Sequence, residues 1–197
     1  ISKKTAIGIF IFLLATVSFL IFYAQGFLGF HLGKFIFIIA TYFIMNIFYT
    51  FKLKHVAIID VCIIAIGFVL RVLAGGYASG IPISQWAILL TFLLALVLAL
   101  GKRRGELINA QISGRTRKAL DGYNVQFADI ALSISVTLAI VSYLMFTVTP
   151  EVQSKFGMKV FYTFVFVVFA FLRYLQQTLV YNKTESPTKI VYKDHYI

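Results

Sequence analysis

Three consecutive cations, Lys102-Arg103-Arg104, follow an apolar run that ends at Leu100-Gly101, and Glu106 stands four residues after Lys102. Two chemistries fit this pattern. Cations at the end of a membrane helix fix its orientation and meet anionic headgroups. The same residue types also make a phosphate cradle, because arginine offers a planar fork matched to phosphate oxygens and lysine a mobile point charge. In a cradle, Glu106 orients Lys102 as an ion pair or accepts from a sugar hydroxyl. On a plain surface the pair would be worth only ~0.3–0.5 kcal/mol. Helix-dipole logic favours cations at a helix C-terminus, but one or two suffice. Three are more than a helix end needs.

A second basic stretch reads Tyr49-Thr50-Phe51-Lys52-Leu53-Lys54-His55. Tyr49 suits an interfacial aromatic belt and Lys54 a span flank; both also suit a second wall for an anion site. Asp60 follows inside an apolar run. An intramembrane carboxylate is costly, and by default it is paired or functional. Lys54 and the Lys102 cluster are its expected partners. Arg71 lies ~25 Å from Lys54 along a helix, near the opposite surface, where a structural role is expected. Gly67, Gly75 and Gly76 suit close helix packing. Arg115, Arg117, Lys118 and Tyr123 form either a solvated basic face or, through Arg117 and Tyr123, a lid over a polyanion. Arg173 either snorkels or faces a bundle interior. The phenylalanines read as lipid-facing or packing residues. No Cys, His, Asp and Glu grouping has metal-ligand spacing, and no nucleophile triad, Walker loop or paired-carboxylate motif is present. The single Cys62 excludes an intrachain disulfide.

The elements that must position these residues are membrane helices. The 197 residues are 60% hydrophobic and 13% charged, against about 45–50% and about 25% in a soluble domain. The formal charge of +11 lies between apolar runs and not on a soluble face, which argues against nucleic acid as a partner. Apolar runs at 6–23, 35–51, 56–75, 83–100, 130–148 and 160–181 give six spans, each helical because lipid cannot satisfy an open backbone. The expected fold is therefore all-α, a polytopic transmembrane bundle in one domain, with a polar connection over 102–129. Cations are dense at the N-terminus, in 52–55, in 102–118 and after 181, and sparser in the alternate connections. By the positive-inside rule both ends and both basic loops face the cytoplasm. The chain opens without methionine or a signal cleavage site and reads as a segment of a longer protein.

The stretches "YTFKLKHVAIIDVCIIAIGFVLRVLAGG", "FLLALVLALGKRRGEL" and "RKALDGYN" together resemble the UbiA superfamily of intramembrane prenyltransferases, and within it the decaprenyl-phosphate phosphoribosyltransferase branch. "SPTKIVYKD" is similar to that branch's link to its last helix. The resemblance implies a nine-helix bundle around a lipid-accessible cavity. It implies transfer of 5-phosphoribose from phosphoribosyl diphosphate to a polyprenyl (decaprenyl) phosphate, with release of diphosphate, in cell-wall biosynthesis. It also implies Mg²⁺, held by an Asp-rich motif that would lie N-terminal of this chain; the ninth helix would lie beyond its end. The segment alone is expected to be inactive. Ordinary members carry a second Asp-rich motif where Lys102-Arg103-Arg104 stands. Carboxylates reach a diphosphate through Mg²⁺, whereas cations contact it directly.

On this reading Lys102, Arg103, Arg104 and Lys54 bind donor phosphates. Glu106, Asp60 and Tyr49 orient those cations or the ribose, and Arg117 and Tyr123 form the lid. The lipid bilayer is a partner, and self-association into a homo-oligomer stays open. Two rivals remain: a UbiA-type enzyme that moves the prenyl group itself to an aromatic or other acceptor, and a non-catalytic scaffold or transporter.

Overall fold

The computed structural model describes residues 2–28, 32–113 and 120–182. Described in this way, the chain is all helix. α1 spans Lys3–Leu28, α2 Leu32–Phe51, α3 Ile59–Ser79, α4 Gln85–Ser113 and α5 Val125–Thr147. A short α6, Pro150–Phe156, and a 3₁₀ segment, Met158–Thr163, lead into α7, Phe164–Leu175, which continues as a π-helical turn over Gln176–Val180. The main packing joins α2 to α3, α3 to α4, α4 to α5 and α5 to α7.

Among the described residues five helices are long and apolar enough to cross a membrane, against the six spans expected. The sixth, 6–23, lies within α1, where the apolar run is Ile7–Leu20. Large hydrophobics lie open on the bundle surface: Phe12, Phe22, Phe37 and Phe166 each expose 70% or more. That surface suits a hydrocarbon solvent. Several hydroxyls within the spans bond back to carbonyls a turn earlier, as Thr41 does to Phe37 and Ser135 to Ala131, which satisfies them inside their own helix. The central core consists of Val61, Val97, Leu100, Leu132, Val136 and Tyr174, drawn from α3, α4, α5 and α7.

Boundaries differ from the sequence expectation where local caps decide them. α3 starts at Ile59, not 56, because Leu53–His55 forms a 3₁₀ turn. It ends at Gly80, whose left-handed φ of 68° lets its N–H return to Gly76 O. Gly76 has no room for a side chain: a Cβ there would sit 2.4 Å from Ile83 Cγ1. Gly67 faces Met45 and Tyr42, whereas a Cβ on Gly75 would meet nothing within 4 Å among the described residues. α5 starts five residues earlier than expected, because Asn124 caps it by accepting from Phe127 N–H at 2.6 Å. The expected 102–129 loop is thereby shortened from both sides. α4 carries on unbroken through the basic cluster to Ser113, and its 29 residues make a rod of about 43 Å, longer than a hydrocarbon core of about 30 Å.

Candidate functional site

The antiparallel helices bring the start of α3, the outer part of α4, the start of α5 and the end of the π turn to one end of the bundle. Arg103 and Arg104, one residue apart on α4, point into different neighbours. Arg103 donates from Nε to Asp60 Oδ2 at 2.6 Å and from Nη1 to Glu106 Oε2 at 2.5 Å. Asp60 is fully buried. A lone carboxylate there would be prohibitive, and the guanidinium is what makes the position tenable.

Arg104 donates from Nε to Asp129 Oδ1 at 2.5 Å, and from Nη1 to Thr178 O at 2.6 Å and Asn182 Oδ1 at 2.9 Å. Its Nη2 reaches Leu179 O at 3.4 Å. The π turn presents these carbonyls, and the cation sits where helix-end partial charge favours it.

Tyr123 completes the Arg103 side. Its hydroxyl donates to Asp60 Oδ1 at 2.7 Å and accepts from Ile58 N–H at 2.6 Å. Ile58 sits at φ 69°, a left-handed conformation that costs a β-branched residue about 1–3 kcal/mol. The neighbouring Gly122, at φ 90°, lies so close to Ala57 that a Cβ would come within 3.1 Å of it. The two connections at this end are thus locked together. Burial, and then the bond to Asp60, push the Tyr123 phenol well above its ordinary value, so it remains a proton donor.

The sequence-derived candidates fall as follows. Asp60, Arg103, Glu106 and Tyr123 are brought together. Arg104 stands beside them in a separate network. Lys102 is exposed on α4; Tyr49, at the end of α2, and Lys54, in the 3₁₀ turn before α3, are half-buried. Among the described residues Lys54 and Lys102 have no ion-pair partner. Glu106 forms an ion pair with Arg103, three residues before it; the expectation gave it Lys102 or a sugar hydroxyl, within a role of orienting the cations or the ribose.

Tyr123, expected in the lid, sits against the buried carboxylate. It is 8% exposed and anchored on Asp60, because a buried carboxylate with one oxygen on arginine still needs a second donor. Arg117, the other lid residue, lies outside the described residues, as do Arg115 and Lys118. A cleft of about 400 Å³ adjoins Tyr123, lined also by Leu107, Ala110, Gln111, Asp121 and Asn124.

Arg71 ties α3 to α2: its Nη2 donates to Tyr42 Oη at 2.5 Å, and it lies over the Tyr42 and Phe68 rings. Arg173 bonds Gln176. Asp129 and Asn182 were not anticipated. An acid one turn inside an apolar run, behind a capping asparagine, was the available signal for Asp129.

The Mg²⁺ implied by the resemblance finds no ligand set among these residues. No three His, Cys, Asp or Glu side chains among the described residues converge on a point, and Asp60, Glu106 and Asp129 each already hold an arginine.

Fold and site together define a polytopic all-α membrane protein with a cationic, carboxylate-buttressed end. No family model matches the chain. It is 38% identical over 107 residues to the decaprenyl-phosphate phosphoribosyltransferase of Mycolicibacterium smegmatis, covering 54% of this chain and 34% of that protein. Over the same length it is 34% identical to the protein of that name in Corynebacterium glutamicum and 32% to that of Mycobacterium tuberculosis. These matches cover 54% of this chain, and 32% and 35% of those proteins. The chain spans about a third of the length of the curated relatives it matches. It is thus similar, over about half of its length, to proteins named decaprenyl-phosphate phosphoribosyltransferase, the branch its motifs resemble.

Proposed function

We propose that this chain belongs to a membrane glycosyltransferase that moves 5-phosphoribose from phosphoribosyl diphosphate to a polyprenyl phosphate. The observation that carries the reading is its identity of 32–38% to several proteins of that name. The site is chemically suited to the task. Lys54 and Lys102 are cations without carboxylate partners among the described residues, at the same end as the Arg103 network, so they can meet phosphate oxygens directly.

In the reaction an acceptor phosphate oxygen bonds to ribose C1 as the C1–O bond to diphosphate breaks, and the diphosphate keeps the electron pair. Lys102, Lys54 and the free edge of Arg103 oppose the charge that develops on it. Arg104 is a positioning residue that fixes α4 against α5 and α7. The charge distribution of the loops supports a site at the cytoplasmic face of the inner membrane, where a water-soluble donor meets a lipid acceptor.

The test uses the intact protein in lipid nanodiscs with labelled phosphoribosyl diphosphate and polyprenyl phosphate. Transfer is expected, and Lys102→Ala should raise the donor KM about tenfold. Consumption of an isoprenyl diphosphate, with the phosphoribosyl donor untouched, would overturn the reading in favour of prenyl transfer.

A further inference from the structure

Arginine's Nε–H and one Nη2–H point the same way and form its side fork, which a carboxylate ordinarily closes with both oxygens. Arg103 departs from this. Asp60 gives Oδ2 to Nε, but its Oδ1 is taken by the Tyr123 hydroxyl. Arg103 is bonded through Nε and Nη1; among the described residues Nη2 has no partner. The Arg103 side chain keeps 10% of its surface exposed, and Nη2 is not among the fully buried polar atoms without a partner, which among the described residues are Tyr174 Oη and Thr178 Oγ1.

Tyr123 is held firmly in this place. Its hydroxyl receives the Ile58 N–H at a strained left-handed residue, and Gly122 brings its loop onto Ala57. A strained backbone persists only where its surroundings over-determine it.

We propose that Tyr123 is a positioning residue that keeps the side fork of Arg103 half open, so that Nη2 is presented to an oxygen of an anionic phosphate ligand. The inference rests on the phosphoribosyltransferase reading for the identity of that ligand, a diphosphate group. Without the phenol, Asp60 Oδ1 is released and closes on Nη2. The cation is then neutralised by two bonds, and the anion loses a charge-assisted donor.

Inorganic diphosphate is the probe, its binding measured by calorimetry on the intact protein in nanodiscs. Tyr123→Phe should weaken binding about tenfold, the effect of one hydrogen bond to a charged group. Hydrogen exchange at the Ile58 amide should quicken, while exchange in α5 and α7 stays unchanged. Asp60→Asn should act in the opposite direction, because an amide neutralises Arg103 less; the double variant Tyr123→Phe/Asp60→Asn should recover most of the lost affinity.

Faster exchange at Ile58 with diphosphate affinity unchanged in Tyr123→Phe would overturn the inference while leaving the functional reading intact. Should Tyr123→Phe fail to fold, weaker binding by Asp60→Asn overturns it equally. A wild type that binds no diphosphate overturns both.

Discussion

Arg103 and Arg104 are adjacent in sequence, yet the structure treats them differently. Arg104 is 4% exposed and has bonds from Nε, Nη1 and Nη2, spread over α5, the π turn and Asn182. Arg103 is 8% exposed and bonded through Nε and Nη1 to two carboxylates. One cation is consumed in joining helices. The other is compensated by carboxylates and still has a donor edge to offer. The same residue type at neighbouring positions therefore carries opposite duties, and what separates them is which helix each one faces.

The sharpest way to break this contrast is to remove the joining cation. Arg104→Leu strands the carbonyls of Thr178 and Leu179 and leaves Asp129, whose side chain is 36% exposed, to water; it should cost about 2–3 kcal/mol in stability. Arg104→Lys should recover only part of this, because an ammonium cannot reproduce a planar fork. Arg103→Lys, by contrast, should lower donor-dependent transfer more than it lowers stability. Thermal melting in detergent set beside turnover separates the two, and equal ratios of stability to activity loss in the two lysine variants would erase the distinction.

A smaller effect is expected from Gly122→Ala. It forces a side chain at φ 90° against Ala57, and should cost about 1–2 kcal/mol. Hydrogen exchange should rise around Ile58 and Asp60, on the Arg103 side alone, with the Asp129 end of α5 unmoved.

The smallest effect concerns pH. The Tyr123 phenol is raised above its ordinary value by burial and by its bond to Asp60. Its stabilising contribution is therefore complete below the ordinary tyrosine pKa of about 10 and is lost as pH climbs through the raised one. Melting points of wild type and Tyr123→Phe, compared from pH 7 to 11, should differ by a constant amount up to about 10 and converge above it. A difference that grows with pH would contradict the assigned bond.

The helical class was legible because it follows from composition and span length, which need no partner to be known. That Asp60 would have a cationic partner was also legible: a buried carboxylate must have a cation, and Lys54 and the Lys102 cluster were the candidates. Which cation answered was not legible. Helical phase, not proximity in sequence, turned Arg103 inward and Lys102 outward.

Tyr123 was legible as a site candidate, but its bond to Asp60 was not, because a tyrosine in a polar connection shows no partner until the carboxylate it satisfies is placed. Asp129 was passed over through a boundary set at 130. The cap at Asn124 could have moved that boundary, since its side chain and the apolar run behind it are both visible in the sequence.

α4 crosses the bundle and leaves it without a break, turning out of the tight approach between Gly76 and Ile83 at its far end. The height of its cations relative to the bilayer is thus fixed by a ruler that begins on the opposite leaflet. Membrane thickness thereby becomes a control on the setting of those cations: a thicker sheet of lipid draws the cationic end toward hydrocarbon and a thinner one lifts it into water.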